Sequence, residues 1–240
     1  MSQERTEAVV LRGVDFSETS RIVTFLTPDR GRLACLAKGV RRKGSALAPV
    51  LDTFNRVELV YYWKDGRSVQ NLGEATLLDE FGAIKANLEK AAFAAFPLEI
   101  AGKVAHENEP SHALYSALVH GFEGLARWPG EARMHACWQA MRLLSAAGFE
   151  PALDVCGNCG GPVSGAPGFS YAAGVVCGSC ASDRRLSPEE HAALRAMARN
   201  RETCPDLANA GKVYNVLWRY ASRQIEADLR SVRVIDQMFG

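Results

Sequence analysis

Four cysteines in two short loops constrain this chain more than any other feature. Cys156-Gly157-Asn158-Cys159 is followed, after seventeen residues, by Cys177-Gly178-Ser179-Cys180, which is the spacing of a closed four-thiolate zinc site. A tetrahedral ion needs four ligands arriving from different directions, and two CxxC turns supply them with little backbone strain. Gly157, Gly160 and Gly178 stand beside the ligands, where a missing Cβ lets the backbone turn tightly and aim N–H groups at sulfur. One structural Zn2+ held by Cys156, Cys159, Cys177 and Cys180 is therefore expected. A redox-active CxxC predicts a single pair beside a βαβ pattern, whereas Gly, Pro and Ser separate two pairs here. Disulfides require an oxidising compartment. Residues 1–6 carry Glu4 and Arg5 and no apolar leader, and no apolar run approaches the roughly 18 residues of a membrane span, so a cytoplasmic location with reduced thiols is expected. With four protein ligands the ion shapes architecture and leaves no open position for a substrate.

Ahead of the cysteines the chain alternates with the period of strands. Ala8-Val9-Val10-Leu11, residues 22–26 and residues 33–37 are three candidates, separated by the polar turn 17–20 and the tight turn Thr27-Pro28-Asp29-Arg30-Gly31. Two more, 54–63 and 69–78, are joined by Lys64-Asp65-Gly66-Arg67, and Asp-Gly is a strong hairpin signal. Five strands followed by a helical region predict an α+β chain that begins with a small closed barrel. An OB-fold has five strands and commonly serves nucleic acid; an SH3-like barrel fits the count nearly as well. The expected division is an OB-fold domain over 1–80 and a helical domain over 81–240, with the zinc module inserted at 152–185. A length of 240 residues with 48% hydrophobic and 23% charged residues suits two globular domains.

The densest basic stretch lies between the third and fourth strands. Arg30, Arg32, Lys38, Arg41, Arg42 and Lys43 fall within fourteen residues that contain no acid. A solvated loop and a phosphate-following loop both fit that pattern. The second reading draws on the flanking Gly39 and Gly44 and on Tyr61, Tyr62 and Trp63 in the next strand, since barrel-face aromatics can stack on bases. Gly44 is followed by Ser45 and Ala46 where a phosphate-binding P-loop needs Lys and then Ser or Thr, so no nucleotide-driven motor is implied. A net charge of +1 makes any anion-binding surface a local one.

After residue 78 the period lengthens to about 3.6. Ile84, Leu88, Ala91, Ala95 and Leu98 mark a first helix, kinked at Pro97. Leu114, Leu118, Phe122 and Leu125 mark a second. Met134, Cys137, Trp138, Met141 and Leu144 mark a third, with Gly148 as its C-cap. Phe169-Ser170-Tyr171 suits a short ribbon whose rings pack over the metal. Ser187 and Glu190 stand at capping-box spacing with Pro188 at the first helical position. One long final helix carries Tyr214, Leu217, Trp218, Ala221, Ile225 and Leu229 on one face, with Arg219, Arg223 and Arg230 elsewhere around it. Cys35, Cys137 and Cys204 have the settings of packing or loop residues.

The order of these parts and several local strings resemble one family, the bacterial recombination mediator RecO. The likeness rests on Glu18-Thr19-Ser20-Arg21-Ile22-Val23, on Leu26-Thr27-Pro28 with Gly31, and on Ala37-Lys38-Gly39-Val40-Arg41-Arg42. It continues through Leu143-Leu144-Ser145-Ala146-Ala147-Gly148-Phe149-Glu150-Pro151 into the first cysteine pair, and ends with Leu229-Arg230-Ser231-Val232-Arg233. What the resemblance implies is a non-enzymatic factor of DNA repair and recombination, working beside DNA in the cytoplasm. It would bind single- and double-stranded DNA, anneal complementary strands, and act with RecR and the C-terminal tail of single-strand-binding protein to help load RecA. Lys38, Arg41 and Arg42 are the first DNA contacts the resemblance suggests, joined by Lys43, Arg21 and Arg32. Two other classes remain to be compared. A zinc deaminase needs His-x-Glu with Pro-Cys-x-x-Cys; neither cysteine pair follows a proline, and none of the five histidines has Glu two residues on. A zinc-ribbon adapter that binds only proteins is the alternative reading.

Overall fold

The computed structural model describes residues 2–207 and 210–239. Its first part is a closed barrel built from β1 (Ser2–Asp15), β2 (Arg21–Thr27), β3 (Gly31–Ala37), β4 (Arg56–Trp63) and β5 (Gln70–Asp79), with a one-turn helix α1 (Leu47–Val50) between β3 and β4. The strand order is β1-β2-β3-β5-β4, closed by β1 against β4, and β3 pairs with β5 in parallel while the other pairs are antiparallel. This is the five-stranded OB-like arrangement. Period-two alternation fills its interior: Ala8, Val10, Val23, Phe25, Leu33, Cys35, Val57, Leu59 and Tyr61 form one buried cluster. Closure depends on the length of β1. Residues 2–9 pair with β4, residues 9–15 pair with β2, and a register shift between Val10 and Arg12 turns the strand from one neighbour to the other.

The second part is helical. A single turn, α2 (Gly82–Lys85), leads into α3 (Leu88–Val104), α4 (His112–Arg127) and α5 (Ala132–Ala146); α6 (Pro188–Arg199), α7 (Ala210–Gln224) and α8 (Arg230–Phe239) follow the cysteine segment. Between them β6 (Gly168–Ser170), β7 (Gly174–Val176) and β8 (Arg184–Arg185) make a small antiparallel sheet in the order β7-β6-β8. α5 is the axis of this half. α3, α4, α6 and α7 all pack on it, so it is buried nearly all round, His135 and Gln139 included. Its end is a Schellman motif: Gly148 at φ 80° donates to the Ser145 carbonyl at 3.0 Å and Phe149 N–H to the Leu144 carbonyl at 2.7 Å. At the start of α6 the capping box is complete, with Ser187 Oγ accepting from Glu190 N–H and the Glu190 carboxylate accepting from Ser187 N–H.

α3 runs from Leu88 to Val104 with the buried Pro97 inside it. One expectation changes here. The expected single last helix is two, parted at Glu226, whose φ is 49°. The cause is distant in sequence: the Glu99 carboxylate of α3 accepts from the N–H groups of Arg230 and Ser231 and from Ser231 Oγ, at 2.7–3.0 Å, capping a new helix at α8.

Barrel and helices share a core. Val9, Leu11 and Leu26, on the outer face of β1 and β2, lie in the same buried cluster as the helical side chains. Backbone hydrogen bonds add a seam between the β2–β3 turn and the α3–α4 loop: Arg32 N–H to the His106 carbonyl (2.9 Å), Asn108 N–H to that of Arg30 (3.0 Å) and Ser111 N–H to that of Pro28 (2.7 Å). Among the described residues no helix is long and apolar enough to cross a membrane.

Candidate metal centre and nucleic-acid interface

Two knuckles bring the four cysteines together. In the first, Gly160 N–H donates to the Cys156 carbonyl (2.8 Å) and Cys156 N–H to that of Gly161 (2.9 Å); in the second, Cys180 N–H donates to that of Cys177 (3.2 Å). Gly157 N–H ties the first knuckle to β7 through the Val175 carbonyl at 2.8 Å, an approach so close that a Cβ at Gly157 would collide with the Ala173 carbonyl. All four Sγ atoms lie within 4.8 Å of one another, and Cys159 and Cys177 are 3.8 Å apart. Tetrahedral coordination at a Zn–S length of about 2.3 Å calls for sulfurs roughly 3.8 Å apart, so the donor set fits that ion. The electrostatics agree. The Cys177 backbone N–H, followed by smaller contributions, brings the Cys156 thiol down to about 6, while the crowded Cys156 and Cys177 sulfurs hold Cys180 up at about 12. Four thiolates in this volume need a cation to ionise together.

The module is anchored beneath the metal site. Phe169 turns into the helical core, its ring 5.9 Å from that of Tyr220, so it packs the module onto α7; Tyr171 stands 6.0 Å from Phe169. A second tie runs from His191 Nε2 to the Leu153 carbonyl at 2.8 Å.

Of the basic stretch, Lys38, Arg41, Arg42 and Lys43 lie in the β3–α1 connection, Arg30 in the β2–β3 turn and Arg32 in β3, and the six separate into two groups. Lys38, Arg42 and Lys43 are exposed and form no ion pair among the described residues. The others are engaged. Arg41 donates to the Ser17 carbonyl at 2.7 Å and meets Asp15 at 3.3 Å, which pins the loop to the β1–β2 turn, and Arg21 meets the same Asp15 at 3.1 Å. Arg32 faces the opposite way, toward the Gly102 carbonyl and Glu107 of the helical half. Arg30 is bound to Glu4 at 2.9 Å and lies 4.2 Å from the Trp63 ring centroid. Exposed pairs of this kind contribute only about 0–1 kcal/mol, so Arg21 and Arg41 can exchange Asp15 for another anion.

The aromatics are placed differently from the expectation. Tyr61 is 1% exposed, inside the barrel, with its hydroxyl donating to Glu4 at 2.8 Å, and Trp63 is held by Arg30 and by Asp65. Tyr62 is the outward ring of the three. Beside the basic loop stands a ring that sequence reasoning passed over: Phe16, 63% exposed, in the turn that Arg41 grips, with Val14 before it at 54%. The signal was an aromatic residue inside an otherwise polar turn, Asp15-Phe16-Ser17-Glu18. The loop carrying Lys38, Arg41, Arg42 and Lys43 is thus tied through Arg41 to the turn that bears the exposed Phe16, where Arg21 also meets Asp15.

Comparisons with known proteins bear on the whole chain. Residues 1–81 match the family described as recombination protein O N terminal, and residues 85–233 match recombination protein O C terminal. A DNA repair protein RecO of Bifidobacterium longum subsp. infantis is 32% identical over 98% of this chain and 100% of its own length. One of Streptomyces griseus is 31% identical over 99% and 100%, and one of Anaeromyxobacter dehalogenans 31% identical over 84% and 80%.

Proposed function

The chain belongs to the recombination protein O family, and from that premise we propose that it is a DNA repair and homologous-recombination mediator. It binds single- and double-stranded DNA and anneals complementary strands. With RecR it helps load RecA onto single strands coated by single-strand-binding protein, whose C-terminal tail it recognises. Residues 1–80 act as the DNA-binding domain; residues 81–240, with the module at 152–185, support it, and one structural Zn2+ on Cys156, Cys159, Cys177 and Cys180 holds that module. No catalytic residue is assigned. A mediator has to hold strands without reading them, and backbone charge with base stacking does this for every sequence.

The observation that carries the reading is the barrel loop where Lys38, Arg42 and Lys43 are exposed and form no ion pair among the described residues, pinned by Arg41 to the turn that bears the exposed Phe16. Guanidinium and ammonium groups there can follow phosphates while the ring stacks on a base. Fluorescence anisotropy of a labelled single-stranded oligonucleotide over a range of salt tests it. Replacing Lys38, Arg42 and Lys43 with alanine is expected to weaken binding for all sequences and to reduce the log–log salt slope by about 2, at roughly 0.7 per lost contact. Phe16→Ala is expected to cost roughly 1–3 kcal/mol with the slope unchanged, as loss of one stacked base does. An unchanged slope in the triple variant removes the loop from the interface, and absence of binding by the unaltered protein favours an adapter that contacts proteins alone.

A further inference from the structure

α7, like α5 with Arg133 and Arg142, has basic residues and no acid, but unlike those of the buried α5 its cations stand exposed. Its fifteen residues carry Lys212, Arg219 and Arg223 and no acid, in a chain whose net charge is +1. Its buried face is settled by packing: Val213, Tyr214, Val216, Leu217, Tyr220 and Ala221 enter the helical core. Lys212, Asn215, Arg219 and Arg223 are all exposed, and their spacing of three and four residues aligns them along one side. At 1.5 Å per residue the row is about 16 Å long. The cysteine module extends it. Arg185 of β8 is exposed and, with Lys212 and Asn215, lines a shallow cavity of about 400 Å³. Its neighbour Arg184 is spent on both oxygens of the buried Glu190 at 2.8 Å. Among the described residues Arg185, Lys212, Arg219 and Arg223 form no ion pair. Glu189 stands near Lys212, and Glu190, paired with Arg184, lines the same cavity.

The row is also held in place. Gln224 donates to the carbonyls of Tyr171 and Ala172, each at 3.0 Å, fastening the end of α7 to the β6–β7 turn. Trp218 Nε1 donates to Asn215 Oδ1 at 3.1 Å, and the Arg219 guanidinium lies 5.1 Å from the Trp218 ring. Cations spread along about 16 Å of an anchored helix match roughly five phosphates of a stacked strand. α7 packs on α5 and α6, while α3 and α4 carry the contacts with the barrel, so this row and the basic loop belong to different layers of the molecule.

We infer that the exposed side of α7, extended by Arg185, is a second surface for single-stranded nucleic acid, which takes up the strand to be paired with the one on the barrel. This rests on the reading of the chain as a strand annealer and deepens it. A protein with one strand surface must meet a second strand by chance; one with two brings both into the same complex, and pairing becomes intramolecular.

The test compares the full-length protein with Lys212→Ala/Arg219→Ala/Arg223→Ala in two assays with labelled oligonucleotides: binding of a first strand, and annealing to its complement. The triple variant is expected to bind the first strand within about twofold of the unaltered protein and to anneal on the order of tenfold more slowly. Its annealing rate should lose salt dependence amounting to a slope of about 2. Arg219→Lys/Arg223→Lys keeps the charges and is expected to anneal normally. Equal annealing by the alanine variant overturns the second surface while leaving DNA binding in place. So does failure of the lysine variant, which would make the packing of Arg219 on Trp218 the cause. An unaltered protein that binds no strand overturns the underlying reading, and the second surface with it.

Discussion

His135 shows what a single buried residue contributes and why a stripe of apolar residues did not reveal it. It is 1% exposed, with its ring centroid 5.6 Å from that of Trp128 and 5.2 Å from that of Trp138, and its Nδ1 has no hydrogen-bond partner. Burial, with a smaller contribution from Lys90, pushes it down to about 4 from 6.5. The unfolded chain therefore binds a proton between those values that the folded chain refuses. Stability present above pH 6.5 is lost as the pH falls toward 4, by roughly 3 kcal/mol in all at about 1.4 kcal/mol per pH unit. Urea unfolding at pH 7 and pH 4.5 checks this: His135→Leu is expected to flatten the pH dependence by about 2 kcal/mol, and an equal slope in both proteins would clear His135. The heptad-like reading picked Met134, Cys137, Trp138, Met141 and Leu144 correctly as core. It assumes one polar face, and α5 has none because helices surround it. The same limit hid the burial of Tyr61, since a strand's outward and inward positions are told apart only by register with its neighbours.

Among elements, those with local causes were legible and those with distant causes were not. The Schellman end of α5 and the capping box of α6 are written in contiguous residues, and both form as expected. A Cβ at Gly148 would meet nothing within 4 Å, so Gly148→Ala tests the left-handed backbone alone. It is expected to lower stability by about 1–2 kcal/mol with no change in metal content; chemical denaturation measures it, and a change below 0.3 kcal/mol would mean that the chain leaves the helix another way. The break between α7 and α8 has neither Gly nor Pro to announce it, because the cap comes from Glu99, more than a hundred residues earlier. The first half of β1 was missed for a related reason. Ser2, Gln3, Glu4 and Arg5 are polar, and it is pairing with β4 that makes them strand.

For the whole molecule, the barrel, the helices and the cysteine module could be read in order, but the way they join could not. The barrel interior is one core; the helices, the module and the outer face of β1 and β2 share another. Removal of the proposed zinc should therefore act unevenly. Structural zinc is worth on the order of 10 kcal/mol to the segment it organises, and Phe169, Val175 and Leu186 connect that segment to the helical core. With chelator, or with Cys156→Ser, amide exchange is expected to quicken across 152–186 and in α6 and α7, while β2, β3 and β4 keep their protection. Equal loss in the barrel strands would make the molecule one cooperative unit. The seam between the β2–β3 turn and residues 106–111 has its own consequence. It runs through main-chain groups, which side-chain substitution leaves in place, and it joins halves that already share a core. Any strands held on the two halves would be kept at a set distance, as between the jaws of a gauge, so lengthening this loop by a few residues would spoil the spacing between strands before it spoiled the grip on either.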